Sequence, residues 1–298
     1  MKDKTQNKDL FGNPVIEDVL LRDKFIEPPF SILDTKTGSW QRRKREWKKL
    51  GIKSEVGREK EMTFKGAVKS FDYYRQKEGK VKESKEQGTS IFDPALCEVL
   101  YHWFVTENGT ILDPFAGGSV RGIVANYLGY NYTGIDIRQE QVDSNREQAM
   151  DILEINNQPQ WYVGDSNEVL DNFNKQYDFV FSCPPYADLE VYSDLKGDIS
   201  NMPYIEFMKA YEEIIAKSCN LLKSGGYACF VVGEVRDKKG NYIGFVPDTI
   251  NAFRKCGMKF YNEAILLNAM ASASMRANGN MKSQKLVKVH QNVLVFKK

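Results

Sequence analysis

The chain is poor in the residues on which several common chemistries depend. Among 298 residues there are only two histidines, His102 and His290, and the five cysteines form no close pair. So few histidines leave little material for a His-dependent catalytic triad. The cysteine spacing argues against a zinc site and against a disulfide framework. We therefore expect no bound metal.

Long apolar runs are also missing. No stretch approaches the roughly 20 apolar residues needed to cross a bilayer, and the start, MKDKTQNKDLFGNP, has no apolar core of a signal peptide. We expect a cytoplasmic protein that does not bind a membrane. With 42% hydrophobic residues, the chain can bury one substantial core.

A strong net charge is absent as well, because the formal value is only +2. Residues 1–90 nevertheless sum to +7, and the rest of the chain sums to −5. The basic excess peaks in WQRRKREWKK (40–49), where two tryptophans stand two helical turns apart. This run is either a solvated helix that packs its tryptophans on the core or a surface for a phosphate backbone. Its cations are Arg42, Arg43, Lys44, Arg45, Lys48 and Lys49.

From about residue 90, short apolar runs alternate with helical segments. Strands are predicted at 110–114, 132–137, 161–165, 177–182, 227–234, 259–267 and 291–297. Helices are predicted at 119–129, 139–155, 166–173, 203–222 and 248–257. The alternation indicates a mostly parallel sheet covered on both faces. Because no helix separates the last two strands, they are predicted to form an antiparallel hairpin at the sheet edge.

The composition divides the chain near residue 90. The segment RQKEGKVKESKEQGTS (75–90) is typical of a linker. We therefore predict a basic N-terminal extension over residues 1–89 and an α/β domain over residues 90–298.

Ligands of open parallel sheets bind beyond the carboxyl ends of the strands. At the first such end, DPFAGGS (113–119), Gly117 and Gly118 allow a tight turn and a close approach of a ligand to the backbone. Asp136 follows Gly117 by 19 residues, at the end of the next strand, where a carboxylate can accept hydrogen bonds from a ribose. A nucleoside-containing cofactor fits this spacing, and a purely structural turn would also explain the glycines.

The turn matches neither the dinucleotide fingerprint G-x-G-x-x-G nor the Walker motif. Asp113 suits an ammonium or sulfonium group better than phosphates, and Asp165 offers an acceptor for the amine of an adenine ring. These two acids and Asp136 favour S-adenosylmethionine as the cofactor. The alternative for each acid is a helix N-cap.

Four segments, taken together and in this order, resemble the methyltransferases that modify the exocyclic nitrogen of adenine or cytosine in DNA. They are DPFAGGS, GIDI (134–137), GDS (164–166) and SCPPY (182–186). The resemblance covers about residues 90–298. It implies a Rossmann-like, S-adenosylmethionine-dependent methyltransferase fold with a seven-stranded sheet, and double-stranded DNA as the partner of a monomer or homodimer. The N-terminal portion is similar to methylases of phages and mobile elements, and such enzymes include those of restriction-modification systems.

The resemblance also assigns residues. The segment SIFDPALCEVLYHWF (90–104) looks like the helix that precedes the turn and closes over the cofactor. Cofactor contacts are implied for Phe92, Asp113, Phe115, Gly117, Gly118, Ser119, Asp136, Ile137, Asp165 and Ser166. SCPPY supplies the catalytic tetrad Cys183, Pro184, Pro185 and Tyr186.

Two positions depart from the family pattern. Ser119 replaces the usual last glycine, and we expect its side chain to cap the following helix. Cys183 replaces the usual Asp, Asn or Ser, which accepts a hydrogen bond from the target amine. Because a thiol is a weak acceptor, either the carbonyls of Cys183 and Pro184 or the hydroxyl of Ser182 must serve.

The remaining tetrad residues suit a flipped base. The prolines lack N–H groups, so they end the strand and leave carbonyls facing the pocket. Tyr186 offers an aromatic face for a base taken out of the duplex. Substrate contacts are expected from the basic N-terminal run, from the loop 187–204 and from the loop 271–290. The last loop contains Arg276, Lys282, Lys285 and Lys288 and no acid.

Three alternatives stay open. An RNA base methyltransferase would use the same cofactor and a similar tetrad. A methyltransferase of a pyrimidine ring carbon would use Cys183 as its nucleophile, although such enzymes resemble Pro-Cys-Gln. A non-catalytic nucleic-acid-binding protein could retain the fold. Nothing in the sequence distinguishes adenine from cytosine as the target.

Overall fold

The structure is a computed structural model that describes residues 21–52, 92–186, 195, 197–237, 239–268 and 273–298. The predicted linker at 75–90 lies outside the described residues. So do residues 187–194 and 196 of the predicted substrate loop 187–204, and residues 271–272 of the loop 271–290.

Eight strands and nine helices are present in this described part of the chain. The strands are β1 Ile32–Asp34, β2 Thr110–Asp113, β3 Asn131–Asp136, β4 Gln160–Val163, β5 Tyr177–Ser182, β6 Leu222–Val232, β7 Lys259–Leu267 and β8 His290–Lys297. The helices are α1 Leu21–Phe25, α2 Gly38–Lys49, α3 Pro94–Phe104, α4 Val120–Tyr127, α5 Gln139–Ile152, α6 Ser166–Val169, α7 Tyr204–Leu221, α8 Phe245–Lys255 and α9 Ala273–Met281.

The strands form one sheet in the order β1-β7-β8-β6-β5-β2-β3-β4. Only β8 runs antiparallel to its neighbours β6 and β7, and the other pairs are parallel. The predicted mostly parallel α/β class is therefore confirmed. The predicted strands 177–182 and 259–267 match β5 and β7, whereas β6 begins five residues before the predicted start at 227.

The sheet differs from the prediction at one edge. It has eight strands, because β1 of the N-terminal portion pairs with β7 in the register Ile32↔Ile265. The hairpin of β7 and β8 forms as predicted, but β1 covers β7, so the hairpin is not at the edge. Three residues are too few for a strand periodicity to be recognised in the sequence. The predicted loop 271–290 also contains α9.

Part of the basic N-terminal run belongs to the core. Trp40 and Trp47 are only 1% and 5% exposed. Their indole N–H groups donate to Asp93 and Glu98, at 3.1 and 2.7 Å, at the start of α3. The described part of the predicted extension thus shares the hydrophobic core of the α/β domain. The predicted boundary at residue 89 lies outside the described residues.

The strand order also locates the site. From β2 the chain proceeds to β3 and β4 on one side, and then returns to β5 on the other side. The carboxyl ends of β2 and β5 therefore flank the point where the strand order reverses, which is where open α/β sheets bind ligands. The turn DPFAGGS follows β2, and the tetrad of SCPPY follows β5.

Candidate active site

Asp113 ends β2, and its side chain is completely buried. Its Oδ2 accepts hydrogen bonds from Arg121 Nε at 2.5 Å and from the Tyr132 hydroxyl at 2.7 Å. Its Oδ1 accepts from the Ser182 hydroxyl at 2.6 Å and from the Phe115 N–H at 3.1 Å. The prediction that Asp113 meets a cationic part of the cofactor is wrong, because Arg121 already neutralises this buried carboxylate.

Arg121 fastens the turn to the end of β2. Its Nη2 donates to the carbonyl oxygens of Phe115 and Ala116, at 2.6 and 2.8 Å. Its guanidinium lies 4.7 Å from the centroid of the Phe92 ring. Burial opposes the charge of Arg121, but the attraction and hydrogen bond of Asp113, together with Tyr132 and Cys183, outweigh burial and raise the pKa of the guanidinium. Arg121 therefore stays charged beneath the turn.

The turn and the end of β3 hold Asp136 in one orientation. Gly117 has a φ of 51°, in the region that favours glycine, and its N–H donates to Asp136 Oδ2 at 3.0 Å. The N–H of Arg138 donates to Oδ1 at 2.9 Å. A Cβ on Gly134 would lie 2.8 Å from Ala116 Cβ, so the turn approaches β3 as closely as glycine allows. A carboxylate has about four acceptor positions, so this half-buried, oriented group fits the hydroxyls of a ribose.

Asp165 follows β4 and is half-buried. Its Oδ1 accepts a hydrogen bond from the N–H of Asn167 at 2.9 Å. Asp165 is therefore the N-cap of α6, which is the alternative to a cofactor contact given in the sequence analysis. Its Oδ2 lies 2.9 Å from the position that a Cβ on Gly197 would occupy, and Ile137 lies 3.5 Å from the same position. Asp165 and Ile137 are thus near each other at this end of the sheet.

The end of β5 places the tetrad beside the turn. Ser182 is buried and donates to Asp113, so the hypothesis that its hydroxyl serves the target amine is wrong. Cys183 and Pro185 are half-buried, and Pro184 is buried. Within the described part of the chain, no hydrogen bond ends on the carbonyl oxygen of Pro184. The candidate acceptors for the target amine are therefore the thiol of Cys183 and the backbone carbonyls of Cys183 and Pro184.

Three elements hold the ring of Tyr186. Gln291 Nε2 of β8 donates to its hydroxyl oxygen at 2.7 Å. Phe245 of α8 meets the ring edge to face, with centroids 6.0 Å apart. A Cβ on Gly233, just after β6, would lie 3.6 Å from the ring, so the ring rests on bare backbone. The ring is therefore fixed next to the end of β5.

Other predicted cofactor residues support the turn from inside. Ser119 does not cap α4, contrary to the prediction, because its hydroxyl donates to Gln148 at 2.7 Å. The hydroxyl of Ser166 donates to the Pro114 carbonyl at 2.5 Å. The Phe115 ring packs near core aromatic rings of the opposite face. Gly118 is half-buried within the turn.

The predicted substrate cations divide into two groups. Arg43 pairs with Glu98 at 2.6 Å, and Lys44 pairs with Asp93 at 2.9 Å, so α3 neutralises both. The other cations predicted to contact the substrate are exposed. Three of them lie on α2 and two lie in the C-terminal segment. These are Arg42, Arg45, Lys48, Arg276 and Lys282.

A family model described as DNA methylase matches residues 16–147. The match covers 132 of the 298 residues. The match runs from the N-terminal portion through the turn and most of α5, and it ends before the SCPPY tetrad. It confirms the resemblance to DNA methyltransferases of the N6-adenine and N4-cytosine type, and it supports a methyltransferase with S-adenosylmethionine as its cofactor. No curated protein matches the chain.

Solved structures similar to this methylase include TrmN from Thermus thermophilus (13% identity, TM-score 0.47). The chain spans about half of that protein, with 70% of this chain and 49% of that chain covered. Precorrin-6y C5,15-methyltransferase from Geobacter metallireducens GS-15 is 12% identical, with a TM-score of 0.46 and coverage of 74% and 95%. Magnesium protoporphyrin IX methyltransferase from Synechocystis PCC 6803 is 13% identical, with a TM-score of 0.44 and coverage of 79% and 93%.

The described residues contain no group of three His, Cys, Asp or Glu side chains that could hold a metal ion. None of their helices combines the length and the apolar composition needed to span a bilayer.

Arg121 and Ser182 are the residues of the methylase site whose contacts were not predicted. The sequence motif assigns their partner Asp113 to the cofactor, and this assignment leaves no role for an internal partner. One signal was available, because Arg121 is the only cation between Asp113 and Asp136 and lies in an apolar helix. A lone charge in such a segment indicates a buried ion pair.

We expect Arg121→Leu to lower the free energy of unfolding of the methylase by about 3–5 kcal/mol, because Asp113 would keep an uncompensated buried charge. Adding Asp113→Asn to Arg121→Leu should recover part of the loss. Urea denaturation measures both. The control is Lys49→Leu, which breaks the exposed pair of Lys49 and Glu46 and should cost less than about 1 kcal/mol. If Arg121→Leu and Lys49→Leu lowered the free energy of unfolding equally, the assignment of Arg121 and Asp113 as a buried ion pair would be contradicted.

Proposed function

We propose that the protein transfers a methyl group from S-adenosylmethionine to the exocyclic amine of a flipped adenine or cytosine in double-stranded DNA. One observation carries this proposal: the turn DPFAGGS and the tetrad of SCPPY meet at the point where the strand order reverses. The hydrogen bond from Ser182 to Asp113, at 2.6 Å, ties the two segments together. The donor site and the acceptor site are therefore neighbours.

Three places at the strand ends hold the cofactor in this proposal. The turn of Phe115 to Ser119 receives the methionine part, and Asp136 accepts hydrogen bonds from the ribose. Asp165, with Ile137 beside it, lies where it can receive the adenine. The bound cofactor supplies a methyl group on a positively charged sulfur. Asp113 acts indirectly, since it fixes the turn through Arg121.

The tetrad positions the target amine. The carbonyl of Pro184 accepts a hydrogen bond from one N–H bond of the amine, and the thiol or the carbonyl of Cys183 accepts one from the other. These two hydrogen bonds orient the nitrogen lone pair toward the methyl group. With the cofactor bound, its sulfonium would supply the methyl group to the oriented nitrogen, which would release one proton to solvent. Positioning of this kind is worth up to roughly 7–11 kcal/mol in favourable cases.

Tyr186 provides the stacking surface for the flipped base. Its ring rests on Gly233 and is tied to Gln291, so its orientation is set before the substrate arrives. A preset aromatic face offsets part of the unstacking cost of a few kcal/mol. This feature also suits an unpaired RNA base, and an RNA base methyltransferase is therefore the second candidate.

The direct test is transfer of labelled methyl groups from S-adenosylmethionine to duplex DNA and to RNA of the same sequence. We expect label in the duplex. Tyr186→Ala should lower the transfer rate at least tenfold and leave cofactor affinity within about twofold, whereas Asp136→Ala should weaken cofactor affinity first. Label in RNA alone would favour the second candidate, and no label in either polymer would overturn both.

Substitution of Cys183 distinguishes amine from ring-carbon chemistry. Cys183→Ser should keep or raise the transfer rate, because a hydroxyl accepts hydrogen bonds better than a thiol. Cys183→Ala should retain measurable transfer through the carbonyl of Pro184. The control is Cys256→Ala, at another half-buried cysteine. Complete loss in both Cys183 variants but not in the control would instead point to a thiolate nucleophile.

The exposed cations of α2 are proposed to contact DNA phosphates. We expect Arg42→Glu with Arg45→Glu to weaken duplex binding and to flatten its salt dependence, since fewer counterions are released. Arg43→Glu should instead destabilise the fold, because Arg43 pairs with Glu98. Titration of duplex DNA at several salt concentrations measures the first effect, and a slope equal to that of the wild type would refute it.

A further inference from the structure

A short β-hairpin follows β6 at the carboxyl end of the sheet. Arg236 and Tyr242 form an antiparallel bridge, and the N–H of Ile243 donates to the Val235 carbonyl at 3.0 Å. Val235 is buried, whereas the Tyr242 side chain is 50% exposed. The hairpin is therefore anchored from below and presents an aromatic ring to solvent.

Both ends of the hairpin are joined to the surroundings of Tyr186. Gly233, on which the Tyr186 ring rests, lies two residues before Val235. The carboxylate of Glu234 accepts hydrogen bonds from the N–H groups of Gly244 and Phe245, at 3.0 and 2.8 Å. Phe245 in turn contacts Tyr186. The hairpin thus stands next to the proposed base pocket, in a fixed position.

Two cations lie close to the Tyr242 ring, and a third lies beside the hairpin turn. The Arg236 guanidinium lies 3.8 Å from the centroid of the Tyr242 ring, and Lys288 Nζ lies 6.0 Å from it. Lys285 Nζ lies 2.1 Å from the position that a Cβ on Gly240 would occupy. We name Arg236, Tyr242, Lys285 and Lys288 the hairpin cluster.

Among the described residues, no acidic side chain forms an ion pair with the hairpin cluster. None of the ion pairs between described residues includes Arg236, Lys285 or Lys288. The nearby acids bind backbone instead: Glu234 accepts from the start of α8, and Asp237 accepts from the N–H of Asn241 at 2.8 Å.

The pKa of Lys288 lies below its usual value, mainly because burial penalises the ammonium form. Glu234 acts in the opposite direction, and Arg236 lowers the pKa by a smaller amount. A half-buried ammonium group beside a second cation gains from an external anion. Phosphate groups are such anions. Cations beside an exposed aromatic ring match the combination of phosphate contacts and base stacking by which proteins hold nucleic acid strands.

We propose that the hairpin cluster binds the DNA strand next to the target base, with its cations on phosphates and the exposed part of the Tyr242 ring against a neighbouring base. This inference rests on the proposed function, and it adds a contact surface outside the tetrad and outside α2. Arg276 and Lys282, on the same C-terminal segment as Lys285 and Lys288, are exposed.

Binding of a fluorescent, random-sequence duplex tests the inference, with polarisation measured over a range of salt concentrations. Tyr242→Ala should weaken binding about tenfold, as expected for the loss of one stacked base. Arg236→Gln with Lys288→Gln should lower the slope of log K against log salt by about 2, because two phosphate contacts are lost. Lys285→Gln, on the second segment, should lower it by about 1.

A matched pair at the opposite end of the sheet provides the control. Tyr261 is 53% exposed, and Lys297 Nζ lies 5.4 Å from its ring centroid. These residues lie near the start of β7 and the end of β8, away from the site. Tyr261→Ala with Lys297→Gln should leave duplex binding within about twofold of the wild type. Heparin is a polyanion without bases, so Tyr242→Ala should hardly change its binding.

The possible outcomes separate the two proposals. If the wild type binds no duplex and methylates none, the proposed function fails. If the wild type binds and methylates DNA while the hairpin variants behave like the control pair, the function stands and the inference is overturned. Equal losses for heparin and duplex in Tyr242→Ala would overturn the stacking contact. S-adenosylmethionine affinity confirms that each variant is folded, and Lys285→Gln tests the surface without altering the hairpin itself.

Discussion

The buried ion pair of Asp113 and Arg121 is the interaction on which the rest of the site depends. It lies where the strand order reverses, and it joins the end of β2, the glycine turn, β3 through Tyr132 and β5 through Ser182. Removing a buried ion pair from water costs free energy. The attraction between its charges offsets that cost only when the hydrogen bonds of both groups are complete. Here both carboxylate oxygens and the guanidinium have several partners, so the cost is offset and the geometry is fixed.

This arrangement explains how a site for two ligands is assembled from segments that are far apart in sequence. The turn after β2 and the tetrad after β5 are separated by more than 60 residues, yet Phe115 of the turn and Ser182, the residue just before the tetrad, both donate hydrogen bonds to Asp113. In the proposed function, Asp113 would keep the methyl donor and the methyl acceptor in register without touching either. Residues at the surface of the pocket, such as Asp136 and Tyr186, are positioned by backbone groups and neighbouring side chains in the same way.

Much of the fold was predictable, because apolar runs at strand spacing and helical segments between them follow directly from burial. Seven strands and the β7–β8 hairpin were found in this way, whereas β1 was too short to give a periodic signal. The site was predictable as a set of motifs but not in its inner contacts. Asp113 was assigned to a ligand, and Arg43 and Lys44 to DNA, since a sequence does not reveal which charges neutralise one another. Ion pairs depend on tertiary packing, which local patterns do not encode.

The central claim is that a DNA methylase turn and an amine-directed tetrad act on one base at this point of the sheet. The position of the new methyl group on that base tests it most directly. Digestion of methylated duplex DNA to nucleosides, followed by mass spectrometry against standards, identifies the methylated atom. The account predicts N6-methyladenine or N4-methylcytosine. 5-Methylcytosine would contradict it, because a methyl group on ring carbon requires a nucleophile rather than hydrogen-bond acceptors at residue 183.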